Sequence, residues 1–99
     1  MTYAFDLDGT LCETEAGDYE AAVPIPERIA HVNALFDEGH TIYIHTARGS
    51  VTGRKWRAMT IGQLKRWGVK HHVLIMGKPF AHVYVDDRAV NAHRYGWGA

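Results

Sequence analysis

A short apolar run, Tyr3-Ala4-Phe5, leads straight into Asp6-Leu7-Asp8-Gly9-Thr10, so two carboxylates stand where a buried strand surfaces. Alternate residues of an extended chain share a face, which aims Asp6 and Asp8 at one small volume, and Gly9 lets the backbone turn away at once. A strand that starts this way needs neighbouring strands for its edges and a counter-charge for its acids. The sequence supplies candidates for both. A second apolar run, Thr41-Ile42-Tyr43-Ile44-His45, ends in Thr46-Ala47-Arg48-Gly49; Gly77-Lys78-Pro79 makes a turn; and Val83-Tyr84-Val85 runs into Asp86-Asp87.

Between these runs the pattern switches to helical spacing. Strands are expected near residues 2–7, 41–45, 72–75 and 82–86. Pro24-Ile25-Pro26-Glu27 opens a helix whose apolar positions Ile29, Val32, Ala34, Leu35 and Phe36 continue until Gly39 stops it. A second helix is expected from about Gly53 to Trp67, with Trp56, Met59, Thr60, Gln63, Leu64 and Trp67 on one broad face and Gly68 as its stop. A short third helix follows Arg88. Strands alternating with helices predict an α/β fold with a short, mostly parallel sheet, and 99 residues make a single domain, 1–99.

The four polar segments, taken in order, resemble the motifs of the haloacid dehalogenase (HAD) superfamily of aspartate-based phosphohydrolases: an Asp-x-Asp strand end, a Thr or Ser strand end, a Lys, and a late acidic pair. Each alone is common; the ordered set covers residues 6 to 87. Within the superfamily, Thr46-Ala47-Arg48-Gly49, Gly77-Lys78-Pro79 and Val85-Asp86-Asp87-Arg88 look like the small capless phosphatases associated with sugar and capsule biosynthesis. The resemblance implies a three-layer, Rossmann-like core in which the Asp6 strand lies centrally, between the Thr46 and Asp86 strands, and all four motifs meet outside the carboxyl ends of the strands. No segment is long enough for a cap. With no fifth strand, a free sheet edge or the aromatic tail Tyr95-Gly96-Trp97 is expected to be covered by a second copy, making a homo-oligomer.

The same resemblance implies roles. Asp6 is the expected nucleophile, forming an aspartyl-phosphate that water then cleaves, and Asp8 the general acid and base. Thr46, Ala47 and Lys78 are the expected phosphate-binding groups. Mg²⁺ is the expected cofactor, held by the Asp6 carboxylate, the Asp8 main-chain carbonyl and the late acids Asp86 and Asp87, with Asp86 favoured as the direct ligand. The expected substrate is a small phosphorylated metabolite, a sugar or polyol phosphate. Six basic residues cluster over 48–66, and Arg48, Arg54 or Lys55 is expected to grip a second anionic group of that substrate.

Composition narrows the alternatives. Eleven Lys and Arg balance eleven Asp and Glu, so no net field draws the chain to nucleic acid or an anionic membrane. The single cysteine, Cys12, excludes an internal disulfide, and neither a leader nor a long apolar run precedes the first motif, which reads as a cytoplasmic enzyme. Seven histidines show no metal-ligand spacing; His45, beside Thr46, is the one nearest the motifs. The competing readings are a phosphatase acting on protein or nucleic-acid ends and a non-catalytic phosphate-binding module. A receiver domain uses similar residues, but with the acid pair first and the phosphorylated Asp at mid-chain.

Overall fold

The computed structural model describes residues 1–98. In chain order the elements are β1 (Thr2–Asp6), β2 (Cys12–Glu13), a single 3₁₀ turn (Tyr19–Ala21), β3 (Val23–Pro24), α1 (Pro26–Asp37), β4 (Thr41–Thr46), α2 (Arg57–Arg66) and β5 (Val73–Met76). β1, β4 and β5 form a parallel sheet in that order, Asp6 pairing with His45 and Thr46 with Met76, so the carboxyl ends of all three strands reach one rim. β2 and β3 make a small antiparallel ribbon in the connection between β1 and α1. The molecule is thus two successive β-α-β units, a small α/β fold.

Burial explains why these segments take these forms. In β4 the side chains of Ile42, Ile44 and Thr46 are fully buried while Thr41, Tyr43 and His45 are half-buried, the period of two that a covered sheet face imposes. Phe5, Leu7 and Leu11 from the first strand and its turn join Ile29 and Val32 of α1, Leu64 of α2, and Val69 and Leu74 in one apolar core. Both helices end in the same way. Gly39 and Gly68 take left-handed backbone, and their N–H groups bond back to Phe36 and Lys65, while the next residues, His40 and Val69, bond to Leu35 and Leu64. That double bond pattern needs a residue without a β-carbon penalty, so the glycines that punctuate the sequence are the physical stops of the helices.

Three expectations fail. The second helix begins at Arg57, four residues later than predicted, because residues 49–53 are taken up by turns: Gly49 and Gly53 are both left-handed and the Gly53 N–H bonds to the Gly49 carbonyl. No strand forms over 82–86. The Tyr84 hydroxyl donates to the Pro79 carbonyl and accepts from the Ala81 N–H, curling residues 79–84 into a local loop, and the Asp86 carboxylate accepts from the Arg88 N–H, which closes a turn where the strand would end. The expected third helix after Arg88 does not form; a turn stands there, built on Asn91, whose carbonyl accepts from Arg94 and Tyr95. β1 is consequently an edge strand rather than the central one.

The aromatic tail is covered from within, which removes one of the two reasons for expecting a second copy. Trp97 packs against Phe5 of β1 with ring centroids 5.6 Å apart, Arg28 of α1 lies 5.1 Å over the Trp97 ring, and the Tyr95 hydroxyl is 2.9 Å from His31 Nε2. The Gly98 N–H donates to His31 Nδ1. Among the described residues no helix is long and apolar enough to cross a membrane.

Candidate active site

The rim at the carboxyl ends of the strands carries a cleft of about 250 Å³. Asp6 ends β1, Asp8 follows two residues on, Ala47 and Arg48 follow β4, and Lys78 follows β5; all five line the cleft, with Tyr19, Phe80, Ala81 and Tyr84 completing it. Residues seventy positions apart in sequence meet here because three parallel strands deliver their ends to one side. A larger score of charge in one place needs explanation, and the hydrogen bonds supply it.

Lys78 is fixed by its backbone. Its N–H donates to the Thr46 carbonyl, its carbonyl accepts from the Ser50 hydroxyl at 2.7 Å, and Gly77 makes the left-handed turn that brings it round. The ammonium then sits 3.6 Å from an Asp6 oxygen and 4.2 Å from the centre of the Tyr84 ring. The Asp6 side chain is one-third exposed, so its carboxylate faces the cleft with one neutralising partner and open lone pairs.

Asp8 is held far more tightly. Arg48 grips it with two parallel bonds, Nε to one oxygen and the terminal nitrogen to the other, both 2.9 Å. Thr14 donates to the same Oδ1, and Cys12 Sγ approaches it at 3.5 Å. Burial acts to raise the Asp8 carboxyl, but the hydrogen bonds from Arg48 and Thr14 and the Arg48 charge outweigh it and hold the group below the ordinary carboxylate range. Arg48 Nη1 donates to Thr60 Oγ1 and Gln63 Oε1 on α2, its Cζ lies 4.8 Å from the centre of the Tyr19 ring, and the residue is 3% exposed. Gln63 in turn donates to the Tyr19 carbonyl. A guanidinium this fully engaged is a structural clamp joining the β1 turn, the β4 turn, α2 and the 3₁₀ turn. It has no free donor fork to offer a substrate, so Arg48 grips Asp8 and not the second substrate anion that the sequence led one to expect.

The other sequence-derived candidates separate cleanly. Thr46 is fully buried and its hydroxyl oxygen accepts from the Arg48 N–H, which makes it the cap of the β4 turn, behind the cleft; Ala47 presents itself at the surface in its place. Arg54 lies 4.2 Å over the Trp56 ring, and neither it nor Lys55 lines the cleft; both are exposed. Asp86 and Asp87 are exposed and do not line it either, Asp87 standing 3.9 Å from Arg88. Among the described residues no three His, Cys, Asp or Glu side chains are grouped to hold a metal. Asp6 and Asp8 line the cleft, but Asp86 and Asp87 do not, so as folded the residues present lack the late acid of the Mg²⁺ ligand set that the sequence suggested.

Two neighbours complete the electrostatics. His45, beside Asp6 in the sheet, is half-buried; burial, then the nearby Lys78 charge, lowers its pKa and keeps it neutral. Cys12 is buried, which pushes its thiol up to about 11, so it is a packing residue with no thiolate at neutral pH. Sequence reasoning missed Thr14, Tyr19, Thr60, Gln63, Phe80 and Tyr84. A signal existed for two of them: Thr60 and Gln63 are polar residues on the apolar face of a helix, and a buried polar group must have a partner.

The fold and the cleft define a small α/β protein with a carboxylate and lysine site at the carboxyl rim of a parallel sheet. No protein-family model matches the chain, and no curated protein matches it. Among solved structures it is similar to a crystallised structural-genomics target from Vibrio cholerae, at 28% identity over 93% of this chain and 84% of that one, with a TM-score of 0.80. That protein is known by a target designation rather than by an activity, so the likeness bears on the fold.

Proposed function

We propose that this chain is a HAD-type phosphohydrolase that cleaves a phosphate monoester through Asp6. The observation that carries this reading is the pairing, in one cleft, of a partly exposed strand-end carboxylate with a lysine 3.6 Å away. A carboxylate and a phosphate repel, and the Lys78 ammonium offsets that repulsion for both, close to the position where the nonbridging oxygens would lie. Asp6 attacks phosphorus, the bond to the ester oxygen breaks, and the phosphoryl group is left on Asp6; water then attacks that phosphorus and regenerates the carboxylate. Asp8, held ionised by Arg48 and Thr14, takes the proton from that water once those bonds loosen, since as folded its oxygens are occupied. Held below the ordinary carboxylate range it carries no proton to give, so the departing ester oxygen takes its proton from water in the open cleft. The N–H groups of the Asp8 and Ala47 turns supply further donors to an anion at the rim.

The test is release of inorganic phosphate from a panel of sugar, polyol, nucleotide and peptide phosphates, measured with Mg²⁺ and with EDTA. Asp6→Asn is expected to lose about three orders of magnitude or more in kcat/KM, as nucleophile removals do, and Lys78→Ala about a hundredfold. A panel that yields no phosphate, or an Asp6→Asn chain as active as the wild type, refutes the proposal.

A further inference from the structure

Beyond its charged end the cleft is aromatic. Phe80 lines it while remaining 60% exposed, its ring meeting His82 edge-on at 5.5 Å. Tyr84, 48% exposed, lines it from the same loop, and its hydroxyl bonds to Pro79 and Ala81 hold the ring on the cleft wall, 4.2 Å from the Lys78 ammonium. A large apolar ring left in the open costs hydration, and one placed on the wall of a polar cleft is positioned to cover a ligand. The charges that would favour a second anion are elsewhere, since Arg54 and Lys55 do not line the cleft and Arg48 is spent on Asp8.

We propose that Phe80, together with Tyr84, is the specificity-determining surface of the cleft, and that it selects monophosphates of an uncharged ring, a pyranose presenting its C–H face, over acyclic or doubly anionic esters. The proposal rests on the phosphohydrolase reading for its geometry: with phosphate at Lys78, the ester's other half extends along the wall that Phe80 and Tyr84 form. A ring loses little conformational freedom on lying flat against an aromatic face, whereas an acyclic polyol must freeze several torsions to bury the same area. The resulting preference is on the scale of one aromatic contact.

The experiment has a turnover arm and a binding arm. In the first, kcat/KM is measured for a hexopyranose phosphate, glycerol 3-phosphate, a hexose bisphosphate and a nucleoside monophosphate with wild type, Phe80→Ala and Phe80→Tyr. The wild type is expected to favour the pyranose monophosphate, Phe80→Ala to lower the ratio of pyranose to glycerol ester about three- to tenfold, and Phe80→Tyr to restore it. In the second, Asp6→Asn is titrated calorimetrically with the pyranose phosphate and with inorganic phosphate, with and without Phe80→Ala. Weakening of the sugar ester relative to inorganic phosphate supports the proposal, even where no ester is turned over and the hydrolase reading has failed. An unchanged ratio in both arms, a wild-type preference for the bisphosphate or for a nucleoside monophosphate, or no binding of any ester overturns it.

Discussion

Ile42 and Val83 are both β-branched residues in apolar runs that read as strands, yet Ile42 is fully buried and Val83 is 74% exposed. The difference lies between two regions. Residues 1–78 hold every regular element and the whole buried apolar core, and their polar groups interlock across the chain: Arg48 alone ties Asp8, Thr60 and Gln63 together. Residues 79–98 form loops and turns whose bonds are mostly to near neighbours, and they attach to the rest through Tyr84 against Lys78 and through Tyr95, Trp97 and Gly98. Strand propensity therefore decides little without a partner edge: Ile42 pairs with Tyr3 on one side and its carbonyl accepts from the His72 N–H on the other, while Val83 pairs on neither. The lesson extends to the acids. Asp6 and Asp8 are placed by the first region and meet their counter-charges there, while Asp86 and Asp87 lie in the second and face solvent.

The contrast can be broken at its strongest point first. Arg48→Met strands the Asp8 carboxylate and two buried acceptors, so it is expected to destabilise the chain by about 3 kcal/mol, the lower end for a broken buried pair because the Asp8 side chain keeps 25% exposure; urea unfolding followed by tryptophan fluorescence measures it. Gly49→Ala comes next. Its new methyl would collide with the Arg54 carbonyl at a φ of +82°, and the expected loss is about 2 kcal/mol or more, read as a fall in Tm. Trp97→Ala probes the attachment of the second region: a loss of about 1 kcal/mol is expected, together with faster amide exchange confined to residues 91–98. Exchange spreading through β4 would mean that the tail is part of the core and the two-region account is wrong.

A smaller effect concerns pH. His45 has a folded-state pKa below its ordinary value, so the folded chain favours the neutral ring, and protonation of the unfolded chain wins as pH falls. Stability contributed by the neutral ring is complete above about pH 6.5 and declines below it down to the folded pKa; Asp8, also depressed, gives way only at more acidic pH. His45→Gln is expected to flatten the first decline in a series of melts. Smallest of all, Asp86→Asn and Asp87→Asn are expected to change stability by less than about 0.5 kcal/mol, as exposed substitutions do, and to leave the Mg²⁺ response of turnover as it is in wild type. A large loss of Mg²⁺-dependent turnover would show residues 82–87 docking at the cleft during the reaction.

How much of this was legible in the sequence follows the same division. β1, β4, β5, both helices and their glycine stops could be read because each pattern is local and each element finds a partner. Asp6, Asp8, Ala47 and Lys78 were expected at one site because the resemblance implied it; the strand pattern alone does not say which strand ends are neighbours. The strand expected over 82–86 failed because its alternating apolar residues carry no information about an available edge. The bond from Arg48 to Asp8 spans forty positions, and those to Thr60 and Gln63 depend on how α2 lands, so the guanidinium's occupation was invisible in a list of basic residues. Phe80 and Tyr84 lie in an irregular loop, where spacing has no period to read.

The central claim is that Asp6 carries the phosphoryl group. Rapid acid quenching of the chain during turnover of a ³²P-labelled phosphate monoester, followed by peptide mapping, tests it directly. The account predicts an alkali-labile acyl phosphate on the peptide containing Asp6, more abundant in Asp8→Asn, where the second step is slowed. Label on any other residue, or an Asp6→Asn chain that still releases phosphate, contradicts it.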